Sequence, residues 1–156
     1  MNQKIINKEE WLLKINTLRT STNKILSLPL NWQASNGWGL KELFIHLQVW
    51  DEEYLSILKS CLSGESYLPK FCHFPDYKRE DQMVFINLWN DQVINERKTI
   101  SLESLKEQFI RTREKVFNEF GKLWSDTNGL QHPFATQIDD LSKHDIEHIS
   151  KVNNRE

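Results

Sequence analysis

LSKHDIEHISKV, residues 141–152, is the stretch from which the rest of the chain is best read. It has helical spacing and sets His144 and His148 four residues apart, so in a helix both imidazoles lie one turn apart on one face. Two histidines placed that way can bind one metal ion from one side, but an ion ordinarily takes at least one more protein ligand from elsewhere. The best candidate for that ligand is His46, far upstream. The expectation is therefore a helical bundle that brings His46 to His144 and His148, and the remaining sequence tests it.

Length and composition set the frame. A chain of 156 residues lies in the usual range for one domain and can bury a sizeable core. Hydrophobic residues are a modest 38%, yet six Trp and eight Phe supply large buried surfaces, which places the chain among globular domains and away from disordered ones. A formal charge of −2, from 20 basic and 22 acidic residues, offers no attraction to a nucleic-acid backbone or an anionic membrane, so neither partner is expected. The opening MNQKIINKEEW has no apolar run of signal-peptide type, and no window approaches the roughly 18 apolar residues of a membrane span. A cytoplasmic protein is expected. Cys61 and Cys72 are not in a CxxC arrangement and read as reduced thiols.

Five segments show helical periodicity, and there is almost no alternating β-branched pattern. The first spans about 8–28, with Trp11, Leu12, Ile15, Leu18, Ile25 and Leu28 as its apolar side and Pro29 as its stop. PLNWQASNGWG follows as a loop, with Asn36-Gly37 as a tight turn. The second helix, about 39–62, carries the stripe Leu40, Leu43, Leu47, Trp50, Tyr54, Leu58 and Leu62. His46 lies three residues after Leu43 and four before Trp50, so it points to the core side. The connection SGESYLPKFCHFPDY, 63–77, is long and aromatic enough to pack over the bundle and cover a site.

The third helix, about 81–98, has Met83, Ile86, Trp89, Val93 and Ile94 as its buried side, with Asn90 beside them. Ser101 is the natural N-cap of the fourth, whose apolar residues are Leu102, Leu105, Phe109, Val116, Phe117, Phe120 and Leu123. Its Lys106, Glu107, Arg111, Arg113, Glu114 and Lys115 mix signs and read as a solvated face. Asp126 to Gly129, with Pro133, marks a loop before the last helix, about 136–152, and the tail VNNRE should fray. No repeat or composition shift divides the chain. The reading is a single all-α domain over 1–156, an up-down four-helix bundle with long loops, its fifth segment either an extension or one of the four.

A lone histidine on an apolar face is more often a hydrogen-bonded core residue than a ligand, and an i, i+4 pair can be a surface feature. The three together match a His₃ site. Neutral imidazoles leave the ion its full charge, and three protein ligands leave a position open for water or substrate. Zinc, nickel and iron(II) all accept imidazole. His144-Asp145-Ile146-Glu147-His148 also resembles the metalloprotease HExxH helix but has Asp145 where that motif has Glu, and no strand-rich half accompanies it. Asp51, Asp145 and Glu147 are candidates to accept from imidazole N–H groups or to act as general bases, against the alternative of exposed helix charges. His73 beside Cys72 has no fixed facing geometry, and His132 before Pro133 reads as a turn residue. No GxGxxG, GxxxxGK[ST] or GxSxG is present.

GWGLKELFIHLQVWDEEYLSIL, 37–58, resembles the second helix of the DinB-like, damage-inducible four-helix-bundle superfamily. WNDQVINERKTISLESLKEQFIRTREKVF, 89–117, is similar to its third and fourth helices, and KHDIEHISKV to its closing HxxxH segment. The resemblance implies a helical bundle of up-down-down-up type, often dimeric, with His46, His144 and His148 as ligands of a divalent ion. It also implies a small-molecule substrate or a low-molecular-weight thiol as partner, some relatives being thiol-dependent transferases or isomerases. The segment around Trp89-Asn90 suggests the self-protection (ClbS/DfsB) branch, and Trp50, Trp89 and Asn90 are the substrate-binding candidates. Gly39 stands where relatives usually have Ser or Thr.

Two functions follow as expectations. One is a metal-dependent transferase, isomerase or hydrolase, whose ion lowers the pKa of a thiol or water and presents it to an electrophile. The other is a non-catalytic bundle that binds or sequesters a small molecule under the 63–77 loop.

Overall fold

A computed structural model describes residues 7–127 and 137–150, with side chains throughout except at 61–62, 123–127 and 137–139. Among the described residues the protein is all-α. Its helices are α1 (Lys8–Leu26), α2 (Leu40–Ser63), α3 (Gln82–Arg97), α4 (Leu102–Thr127) and α5 (Gln137–Ser150), with short 3₁₀ turns at Lys70–His73 and Arg79–Asp81. No described helix is long and apolar enough to cross a membrane. The loop around Pro133 with His132, the start of the last helix at 136, and the tail from Val152 fall outside the described residues.

Local chemistry sets the ends of these helices. Asn7 caps α1, its Oδ1 accepting from the Glu10 backbone N–H at 2.8 Å. Pro29 disfavours helical backbone in the residue before it, and α1 closes at Leu26, two residues short of the expected end. Gly64, with φ at +76°, ends α2 in a left-handed cap, and the next N–H reaches back to the Ser60 carbonyl at 2.8 Å. Ser101 caps α4 as expected, its Oγ accepting from the Ser104 N–H at 3.2 Å.

The chain divides into two compact units, Met1–Leu40 with Phe117–Glu156, and Lys41–Val116. In the first, α1 packs on α5 and on the end of α4. Trp11, Leu18 and Ile25 supply the buried stripe of α1, with Trp11 edge-on to Phe120 at 5.7 Å and the Arg19 guanidinium 4.0 Å above the Phe117 ring. Leu12, placed in that stripe from the sequence, is 49% exposed because it sits one position round the helix from Trp11.

In the second unit α2 is the core helix. Seven successive residues, Leu43 to Val49, are buried, so it is covered all round instead of along one stripe. Phe44 meets Phe109 of α4 at 5.5 Å, and Trp50 meets Trp89 of α3 at 5.1 Å. On α3 the buried set is Phe85, Trp89 and Val93, spaced by fours, while Met83 is exposed. The phase of α3 is thus set by its aromatics, and Met83 falls on the opposite side. The loop between α2 and α3 is packed down, with Phe71 6.0 Å from Trp50 and both Phe74 and Tyr77 on Phe85. Cys72 within it is a free thiol, and the Cys61 side chain is outside the described set.

The largest correction concerns Arg113. Read by type, it belongs to a solvated face, yet it is buried to 1% exposure. It lies four residues after Phe109 and three before Val116, on the apolar stripe of α4, and it is buried because Asp51 of α2 is there to meet it. Nε donates to Asp51 Oδ2 at 2.8 Å and a terminal nitrogen to Oδ1 at 3.1 Å, a two-point pair between planar groups.

Candidate metal centre

The first unit brings His144 and His148 together. Both are half-buried on α5, and their Nε2 atoms stand 3.0 Å apart with the rings nearly perpendicular at 85°. Two bare lone pairs repel at that distance, so one nitrogen carries a proton or both face a cation. Imidazole nitrogens sit about 2.0–2.1 Å from zinc, so two ligands of one ion are about 3 Å apart at a right angle and about 3.4 Å apart at a tetrahedral one. The observed spacing fits adjacent ligands of a single ion.

Two neighbours in the same unit hold this pair. Trp38 stacks on the His148 ring, with centroids 5.9 Å apart and planes 13° from parallel. It is delivered by a tight turn in which the Gly37 N–H bonds the Ala34 carbonyl at 3.0 Å and Asn36 Oδ1 accepts from the Trp38 N–H. Gly37 has φ of +91°, a conformation an L side chain rarely adopts, which is why Asn-Gly stands there. On the α1 side, Asp145 is completely buried and its Oδ2 accepts from Ser21 Oγ at 2.6 Å. Trp38 enters the sequence reading only as part of the loop after α1 and of the stretch 37–58 that carries the resemblance, and Ser21 does not enter it at all. Ser21 could have been found, since it lies between Leu18 and Ile25 at spacings of three and four.

The second unit holds the remaining candidates. His46 is 4% exposed on α2, edge-on to Trp50 at 6.3 Å. Trp50, Trp89 and Asn90 are brought together, for the Trp50 indole N–H donates to Asn90 Oδ1 at 3.0 Å and the two indoles meet at right angles. Asp51 is buried and engaged by Arg113, whereas Glu147, on α5 of the first unit, is exposed.

A third buried carboxylate, Glu53, ties down the loop after α2. It accepts from the Tyr67 hydroxyl at 2.9 Å and the Lys70 backbone N–H at 3.2 Å, with the Lys70 ammonium 3.9 Å away. Burial, and then the bond to Glu53, push the Tyr67 phenol up to about 12. Beside this loop lies a groove of about 310 Å³ lined by Lys70, His73, Phe74, Pro75, Trp89 and Gln92.

No protein-family model matches the sequence, and no curated protein or solved structure matches it.

Proposed function

We propose that the protein is a DinB-like four-helix-bundle metalloenzyme in which His46, His144 and His148 hold one divalent ion, zinc, nickel or iron(II). The reaction class is transfer, isomerisation or hydrolysis on a small molecule, with a low-molecular-weight thiol as the partner the resemblance suggests. The observation that carries this reading is the approach of the two α5 imidazoles, nitrogen to nitrogen at 3.0 Å, in a setting fixed by Trp38 and by Asp145 with Ser21. The burial of His46 within the run Leu43 to Val49 of α2 supports it, because imidazole ligates divalent ions through a ring nitrogen. When bound, the ion supplies positive charge and an open position at which a thiol or water becomes more acidic. The chain's own residues then orient: Trp38 stacks beside the His148 ring, and Asp145 ties α5 to α1 through Ser21.

Elemental analysis of untagged protein tests the site. About one equivalent of a transition metal per chain is expected, lost in His46→Ala and in His148→Ala. Sub-stoichiometric metal in wild type would sink the reading.

The groove beside the α2–α3 loop favours a second reading, a non-catalytic small-molecule binder. Its volume is at the lower end of the ligand-pocket range, and it offers aromatic walls with the cationic Lys70. Metal-loaded protein that turns over no member of a panel of thiols and electrophiles, yet shows tryptophan quenching by a small aromatic acid that Trp89→Phe removes, would favour this alternative.

A further inference from the structure

The Asp145–Ser21 pair does more than fill space. Along α5, Leu141, Asp145 and His148 recur at spacings of four and three, the inner edge of the helix, with Leu141 at 1% exposure and Asp145 at 0%. His144 and His148 form the neighbouring edge. The direction in which both imidazoles point is therefore set by how α5 is rotated about its axis, and a rotation by one residue, about 100°, would carry both off their common target. Leu141 cannot fix that rotation alone, because apolar packing tolerates small turns. A hydrogen bond of 2.6 Å from a hydroxyl to a buried carboxylate is directional, and it links α5 to α1 at the level of the pair.

Ser21 is itself well placed for this. Its Oγ also lies 3.0 Å from the Leu18 carbonyl of its own helix, which limits the rotamers from which the hydroxyl can reach Asp145. A second neighbour is Trp38, whose indole runs nearly parallel to the His148 ring in an offset stack with centroids 5.9 Å apart.

We propose that Ser21 and Asp145 are positioning residues for the α5 histidines, setting their convergence and hence the affinity and coordination geometry of the ion they bind. The proposal rests on the metal reading above, which it deepens by naming what tunes the site. Neither residue touches the ion; each acts through the orientation of α5. Partners that orient ligands typically change metal affinity by about 10–100-fold when removed.

The test is titration of the full, untagged, metal-stripped chain with zinc chloride alone in competition with a chromophoric chelator, and with cobalt(II) chloride followed by visible absorption. The chains are wild type, Ser21→Ala, Ser21→Thr, Asp145→Asn and His148→Ala. Ser21→Ala and Asp145→Asn should weaken zinc by about 10–100-fold and alter the cobalt d–d bands, with far-UV helicity retained. Ser21→Thr, which restores the hydroxyl, should recover most of the affinity and the wild-type bands. Wild type and Ser21→Ala binding zinc within twofold of each other, with the same cobalt spectrum, overturns the positioning role while leaving the metal site standing. Wild type binding no more zinc than His148→Ala overturns both. If Asp145→Asn does not fold, the comparison of Ser21→Ala with Ser21→Thr decides: a loss that Thr does not reverse counts against the proposal.

Discussion

Asp51 and Asp145, two of the buried carboxylates among the described residues, are met by different kinds of partner. Asp51 is met by the Arg113 guanidinium through two hydrogen bonds; Asp145 takes a hydroxyl from Ser21. The first arrangement joins opposite charges whose desolvation is offset only while both are present. The second joins a carboxylate to a small dipole, which holds direction with little bulk. The guanidinium pair lies between α2 and α4 in the core of its unit, where strength matters. The hydroxyl pair lies beside two converging imidazoles, where aim matters.

The largest effect should come from breaking the first pair on one side. Arg113→Met should lower the free energy of unfolding by about 3–5 kcal/mol, measured by urea denaturation, because a buried carboxylate loses its two-point pairing with the guanidinium. Asp51→Leu combined with Arg113→Met should recover most of that loss, since both charges then go together. A single variant that costs under about 1 kcal/mol would show that the pair is not a desolvated one, and the contrast with Asp145 would collapse.

Arg113 also shows what the sequence could convey and what it could not. Fold class and helix bounds followed from hydrophobic period and punctuation: α1, α2 and α3 begin and end within about two residues of the expected positions, and Ser101 caps α4. The α5 histidine pair was legible too, because i, i+4 spacing is a local property of any helix. Burial of polar residues was not. Arg113 and Asp51 are 62 positions apart, and each looks solvent-facing until the other is known. Their phase on the apolar stripes of α4 and α2 was the one available signal, and residue type outweighed it. Asp145 was a candidate acceptor from the sequence, but its pairing with Ser21, 124 positions away, was hidden for the same reason. Met83 and Phe85 show a further limit, for both are apolar and only packing against Phe74 and Tyr77 decides which faces inward.

An intermediate effect should come from Trp38. If aim is what matters around α5, the stacked indole and the His148 ring should be energetically coupled. A double-mutant cycle of Trp38→Leu and His148→Ala, read by urea denaturation of metal-free protein, should return a coupling of about 0.5–1.5 kcal/mol. Additive losses would mean that Trp38 lies against His148 without orienting it, leaving the Ser21–Asp145 tie as the sole restraint proposed here.

The smallest effect concerns Glu53, which stands between the two arrangements: its partners are a phenol, a backbone N–H and a distant ammonium. Here the partner titrates. Burial, and then the bond to Glu53, hold the Tyr67 phenol protonated up to about 12 against an ordinary value of 10.0. Between those values the folded state binds more protons than the unfolded one, so stability falls as pH rises through the window. The Tyr67 contribution is fully present below 10.0 and is lost as pH passes about 12. Tyr67→Phe has no proton to lose, so its urea midpoint should decline less steeply than that of wild type over the same range, while other groups titrate equally in both. Identical slopes would mean that the hydroxyl is not held by Glu53. The carboxylate would then be anchored to the loop through the Lys70 backbone N–H, a tie that does not titrate.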